Sequence, residues 1–160
     1  MYQKLLIYTA TTFFIGSLTI ATAALPPREP GDLDKAATLI ISAAAAEITT
    51  STKGALGHTD TIFIIEAKVD SVSKGSGAKV GETIKIRAWQ PKRRPGGGWA
   101  GPQGIDSIPG KGASFKAWLR KDDDGVWEPL EPNGILLMEG AKNFEKPDRG
   151  VGFFRRLFGG

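Results

Sequence analysis

Between Thr59 and Trp89 two runs of alternating apolar and polar residues flank a glycine-rich turn, and no other stretch limits the fold as tightly. Thr61-Ile62-Phe63-Ile64-Ile65-Glu66-Ala67-Lys68-Val69 reads as one strand and Gly81-Glu82-Thr83-Ile84-Lys85-Ile86-Arg87-Ala88-Trp89 as the next. Ser73-Lys74-Gly75-Ser76-Gly77 lies between them as a turn-rich connector. Side chains alternate across a strand, so Phe63, Ile65, Ala67 and Val69 share one face with an apolar composition, and Ile62, Ile64, Glu66 and Lys68 share the other. That pattern predicts a small antiparallel β module with one face turned inward.

The rest of the chain extends the pattern. Ala113 to Lys121 predicts a further strand, with Phe115, Ala117 and Leu119 inward and Lys116, Trp118 and Arg120 outward. Asp122-Asp123-Asp124-Gly125 predicts a hairpin turn, Val126 to Leu130 a return strand, Pro132-Asn133-Gly134 another turn, and Ile135 to Met138 the last strand. Pro129 lacks an N–H to donate, which predicts an edge position for the return strand. Residues 34–52 are open to two readings. Ala36-Ala37 and Ala43 to Ala46 favour helix, whereas Thr38-Leu39-Ile40-Ile41 and Ile48 to Thr52 favour strand. We take the strand reading, centred on Leu39 to Ile48, with a helical turn over Asp32 to Ala37 before it. The alanines then mark places where a strand curves or a neighbour packs closely. Gln90 to Gly112 reads as one long loop.

The ends have a different character. Lys4 precedes an uncharged, mostly apolar run from Leu5 to Ile20, and Ala21-Thr22-Ala23 has the small-x-small spacing of a signal-peptidase site. The expectation is a signal helix over 1–23, a proline-rich linker over 24–32, a β domain over 33–139 and a tail over 140–160. Export to the periplasm or the extracellular space follows. If the leader is retained, Leu5 to Leu25 approaches the length of a membrane span and would tether the domain. The chain contains no cysteine. It therefore has neither disulfide nor thiolate metal site, a usage that fits a bacterial envelope. The net charge of +4 falls to about +3 without Lys4, too little to argue for a polyanionic partner.

Five or six short strands opened by a long one suggest a small barrel. The strand order resembles OB-fold-like modules of the netrin and tissue-inhibitor-of-metalloproteinase class, as found in bacterial exported proteins. The resemblance rests on the opening strand from Thr38 to Thr50, on Asp60 to Val69, and on Val80-Gly81-Glu82-Thr83-Ile84-Lys85-Ile86. It spans roughly residues 35–138. It implies an all-β, five- to six-stranded antiparallel OB-like barrel and a generic binding role. Animal members cap a metalloprotease zinc with an N-terminal cysteine. This chain has none, so no inhibitor residue carries over.

No catalytic constellation stands out. His58 is the single histidine, set before the second strand in Gly57-His58-Thr59-Asp60, and without other nitrogen or sulfur ligands it reads as a loop residue. Three consecutive aspartates at 122–124 point in different directions and lack the spacing of a calcium loop. No nucleophile elbow occurs, and Gly96-Gly97-Gly98 is not followed by the Gly-Lys-Ser/Thr of a phosphate loop. The expectation is a non-enzymatic module without cofactor or metal.

Two binding candidates remain. Lys92, Arg93, Arg94 and Trp99 place three cations and an indole in the long loop, and Arg and Trp commonly anchor interfaces. Trp89 and Trp118 fall on outward faces, where aromatics can stack on sugars or bases, and export argues against a nucleic acid. In the tail, Phe153, Phe154, Leu157 and Phe158 gather on one side of a helical turn, with Arg155 and Arg156 opposite. Such a turn suits an anionic membrane surface or a partner's groove. The partners expected are an envelope glycan or a protein, with no nucleic acid. The alternative function is a small hydrolase or a protease-interacting, inhibitor-like domain, on fold analogy alone.

Overall fold

β-Branched and aromatic residues resist helix and fit a pleated, half-buried surface, and the runs rich in them form the strands of this protein. The computed structural model describes residues 26–55, 57–94 and 103–145. Among these, helix α1 spans Pro30–Ala36, and six strands follow: β1 Leu39–Ala55, β2 His58–Lys74, β3 Thr83–Arg93, β4 Ser114–Lys121, β5 Trp127–Pro129 and β6 Ile135–Leu137. They form one mixed sheet in the order β1-β2-β3-β5-β4-β6, and β1 additionally pairs with β4.

The strand reading of residues 39–52 holds, and propensity for helix among the alanines is overridden by tertiary pairing. Leu39 to Ala44 of β1 pair with β4 on one side, while the whole strand pairs with β2 on the other. Register shifts at Ile40/Ile41, Ser42/Ala43 and Ala45/Glu47 bend the pair, as bulges do. Ala43 and Ala45 are buried at this bend, where larger side chains would crowd the core.

The core follows the alternation. Leu39, Ile41, Phe63, Ile65, Val69, Ile84, Ile86, Phe115 and Leu119 are buried in one cluster with alanines between them. Phe144 adds an edge-on contact to Phe63 at 5.5 Å between ring centres. The segment from Gln103 to Gly110 runs between β3 and the stretch from Lys142 to Phe144, where the Gly110 amide donates to the Lys142 carbonyl and the Phe144 amide to the Ile108 carbonyl. Ile105 and Ile108 enter the core, and the Ile105 amide donates to the Trp89 carbonyl at 2.9 Å. Gly104 makes this approach possible. Its φ is positive, and a Cβ there would collide with the Trp89 carbonyl.

Several expectations are corrected. The sheet is mixed, not purely antiparallel, because β5 runs parallel to β3 at Ile86 and Trp127. Strand β5 lies between β3 and β4 instead of at an edge. Pro129 is tolerated there because Leu130 donates to Trp118 of β4, so by alternation the Pro129 nitrogen faces away from that ladder. Gln90 to Arg93 continue β3 in place of loop, paired to Thr59, Asp60 and Thr61. His58 opens β2 instead of preceding it. Pro30 and Gly31, expected in the linker, begin α1, where proline suits the first turn. The signal helix and the helical tail lie outside the described residues.

Trp118 requires a correction of its own. Its side chain does point away from the main core, as alternation predicts, yet only 4% of it is exposed. Helix α1 lies across that face, and Leu33, Ala37, Ile40, Trp118 and Leu130 form a second buried cluster. The indole Nε1 donates to Asp34 Oδ1 at 2.6 Å, and Lys116 stands over the ring at 4.5 Å. Trp118 is a packing residue and is not open to a ligand.

Truncating the largest fully buried side chain, Phe115, should show how far the sheet depends on its core. Phe115→Ala is expected to cost about 3–5 kcal/mol in denaturant unfolding. Leu136→Ser, at a side chain on the last strand that is 56% exposed, should stay within about 0.5 kcal/mol of the parent.

Candidate functional site

The face of β1, β2 and β3 that points away from the core is ordered by the strand register into rows. Ser51 lies opposite Ile62, and Ile62 opposite Trp89. Thr49, Ile64 and Arg87 make the adjacent row, and Glu47, Glu66 and Lys85 the one beyond. Lys53 stands opposite Asp60 on the other side of the Ser51 row. The β4–β5 hairpin then rises beside this face and makes a wall. The result is a cleft of about 820 Å³ lined by Ser51, Lys53, Gly54, His58, Asp60, Ile62, Arg87, Trp89, Asp124 and Glu128.

Arg87 joins the wall to the floor. Its Nε donates to Glu128 Oε1 at 3.0 Å, and its Nη2 pairs with Asp122. The hydrogen bond to Glu128 is the largest cause that raises the guanidinium pKa above its ordinary value, so Arg87 stays cationic throughout. Asp122 also holds the hairpin turn, where its Oδ1 accepts from the Val126 amide at 2.7 Å and its carbonyl from the Gly125 amide at 3.0 Å. The three aspartates therefore sit in the expected turn, and one of them orients the cleft arginine. Among the described residues no group of three or more His, Asp or Glu side chains is placed to hold a metal ion.

Trp89 is half-buried on the cleft floor. Its Nε1 donates to Glu131 Oε1 at 2.6 Å, which fixes the plane of the ring. The cleft thus offers one oriented indole, the Ile62 side chain, a serine hydroxyl, and carboxylates and cations in near balance. That mixture can form hydrogen bonds to hydroxyls and amides and can stack on a flat apolar face. The cleft lining carries charges of both signs.

The expected site residues fall into three groups. Trp89 lines the cleft. Lys92 and Arg93 are exposed at the end of β3, and Arg94 follows them. Arg94 is turned inward: Nη1 donates to the carbonyls of Thr59 and Arg93, both at 3.0 Å, and Nη2 pairs with Asp60. It stitches β3 to β2 and is not a cation held out to a ligand. Trp99, Phe153, Phe154, Arg155, Arg156 and Phe158 lie outside the described residues. The sequence reading missed Ser51, Lys53, Asp60, Ile62, Arg87 and Glu128 as a group. A signal existed in Ile62 and Ile64, two isoleucines on the face assigned to solvent, which mark that face as partly covered.

No protein-family model, curated protein or solved structure matches the chain.

The carboxylate of Glu47, on the same outer face, is held below its ordinary pKa by the hydrogen bond from Lys111, at 2.6 Å, and by that ammonium's charge. A depressed carboxylate stabilises the folded state above its unfolded pKa, and that contribution fades as pH falls through the folded value. Lys111→Ala should therefore move the Glu47 titration upward, read by carboxyl NMR. Arg87→Ala should lower stability by roughly 1 kcal/mol or less, with the deficit shrinking in high salt, because the pairs it loses are partly solvated.

Proposed function

We propose that this protein is an exported, non-enzymatic binding module built on an OB-like barrel, and that it binds an envelope glycan or a protein segment across the outer face of β1–β3. The observation that carries this reading is the cleft of about 820 Å³, floored by Trp89 and Ile62 and walled by the β4–β5 hairpin. Its size lies within the range of small-molecule and oligomer sites. The barrel reading is supported by the pairing of β1 with both β2 and β4 and by the parallel contact of β3 with β5. In OB-like barrels the strand 2–3 face, bounded by the first and fourth hairpin loops, is the surface that takes oligosaccharides and oligonucleotides. The near balance of charge in this cleft favours the sugar over the nucleic acid. Export is supported by the Leu5–Ile20 run and Ala21-Thr22-Ala23.

In this reading the indole of Trp89 stacks on the apolar face of a sugar ring, and Ser51, Asp60 and Glu128 meet its hydroxyls. Arg87 positions the wall and adds a donor. Lys92 and Arg93 extend the surface beyond His58 and bias it toward ligands with a carboxylate. The test is a titration with soluble peptidoglycan and acidic polysaccharide fragments, followed by calorimetry. Trp89→Ala should weaken binding by about tenfold or more, the scale of an aromatic anchor. Trp118→Phe should leave affinity unchanged, because that ring is sealed under α1. Equal affinity of the parent and Trp89→Ala would remove the cleft from consideration.

A further inference from the structure

Among the described residues, the second half of β1 has a strand on one side only. Ile40 to Ala44 lie between β2 and β4, and Ala45 finishes that edge by donating to the Ala113 carbonyl and accepting from the Gly112 amide. From Ala46 to Gly54, β1 pairs with β2 alone among the described residues. The direction of the outer main-chain groups follows from β2. Val69 donates to Glu82 and accepts from Gly81 on the β3 side, so odd-numbered groups of β2 face β3 and even-numbered groups face β1. Residues 66, 64, 62 and 60 lie opposite Glu47, Thr49, Ser51 and Lys53. Ile48, Thr50 and Thr52 therefore turn their N–H and C=O groups outward.

Exposed edges of this kind are usually blunted by proline or by a charge at the centre. The run Ala46-Glu47-Ile48-Thr49-Thr50-Ser51-Thr52-Lys53-Gly54 has no proline and no central charge. It is rich in β-branched residues, and its two charges are of opposite sign and equidistant from Thr50. Lys53 makes no ion pair among the described residues.

We propose that this edge pairs with the same edge of a second copy of the chain, antiparallel and centred on Thr50. In that register Thr50 meets Thr50, Ile48 meets Thr52, and Glu47 of each copy stands directly opposite Lys53 of the other. The outward-facing groups of Ile48, Thr50 and Thr52 complete the ladder. The Glu47–Lys53 pairs fall on the non-hydrogen-bonded positions, where facing side chains lie closest. A slip of two residues sets Glu47 opposite Ser51 or Ala55 and loses both ion pairs. A two-fold axis through the Thr50 pair makes the interface self-complementary. It also joins the outer faces of the two sheets, so that Glu47 of the second copy stands at Lys53 on the rim of the cleft. The pairing does not depend on what the cleft binds.

Protein expressed from the full-length sequence should show a reversible monomer–dimer equilibrium in sedimentation experiments across a wide concentration range. Glu47→Lys or Lys53→Glu sets like charges opposite each other twice and should weaken the dimer about tenfold. The double exchange Glu47→Lys with Lys53→Glu should recover most of that loss. Lys111→Ala breaks only the pair within one chain and should leave association within about twofold. Thr50→Pro removes an outward N–H without touching the β1–β2 ladder and should abolish the dimer. A monomer at every concentration overturns the proposal. So does a monomer whose Ile48, Thr50 and Thr52 amides resist hydrogen exchange, since another segment of its own chain would then cover the edge. A dimer indifferent to both charge reversals overturns it as well.

Discussion

A strand can hydrogen-bond on two sides while its side chains alternate between two faces, and among the described residues β1 meets both demands over its first half only. Ile40 to Ala44 are held by β2 and β4 together, so this short stretch ties the first strand of the order to the fifth. The alternation inside it sends Leu39, Ile41 and Ala43 into the main core and Ile40 to the opposite face. Past the register shift at Ala45/Glu47 the strand leaves β4 and continues along β2, which β3 flanks on its other side. Ala46, the unpaired residue of the last shift, reverses which parity faces the core: Ala43 and Ala45 point in before it, whereas Ile48 packs on the core after it. Were the strand to run on regularly through Ala46, then Glu47, Thr49, Ser51 and Lys53 would face the core, and the outer surface would lose its polar rows.

The outward face of the sheet is treated in two ways, and the difference separates packing from exposure. Over β1 and β4 it carries Ile40 and Trp118, and α1 covers it. The helix is short and gains little from its own hydrogen bonds, so its place depends on Leu33, Ala37 and the bond from Trp118 to Asp34. Over β2 and β3 the same face carries Ile62, Ile64, Arg87 and Trp89, and among the described residues no helix lies above them. There the apolar groups are half-covered by neighbouring charged chains, and Arg87 is braced by Glu128 and Asp122 from the hairpin beside it. The two indoles occupy equivalent outward positions on different strands, and only the covering element decides that one is core and the other a surface.

Most of the sheet was legible because alternation is a local property. Phe63, Ile65, Ala67, Val69, Ile84, Ile86, Phe115, Ala117 and Leu119 all face inward as their spacing predicts. What alternation cannot carry is pairing between distant segments. The parallel contact of β3 with β5 joins Ile86 to Trp127, and nothing local to either residue marks it. The same holds for the site. Trp89 was visible as an outward aromatic, but the cleft arises from Arg87 with Asp122, Asp60 with Arg94, and Trp89 with Glu131, partners separated by 34 to 42 residues. Arg94 shows the limit from the other direction. A cation in a basic run reads as a surface charge until an aspartate on the next strand claims it.

On the proposed reading, those internal pairs also bear on what kind of molecule the cleft suits. Of its carboxylates, Asp60 and Glu128 are each matched to an arginine of the same chain, which leaves the lining polar but close to neutral. A polyanion gains its affinity by displacing counterions from unmatched lysines and arginines. Here it would have to break intramolecular pairs before making new ones, and it would meet Asp124 besides. A hydroxyl-rich or amide-rich chain has no such cost. It can share the lone pairs that the bound arginines leave unused on Asp60 and Glu128, and it can lie against an indole whose plane Glu131 already holds. Because that ring is oriented before any ligand arrives, less conformational freedom remains to be lost on binding. In the proposed reading, the same arginine contacts that brace the strands and the hairpin bias the cleft itself toward hydroxyl-rich or amide-rich ligands over nucleic acid.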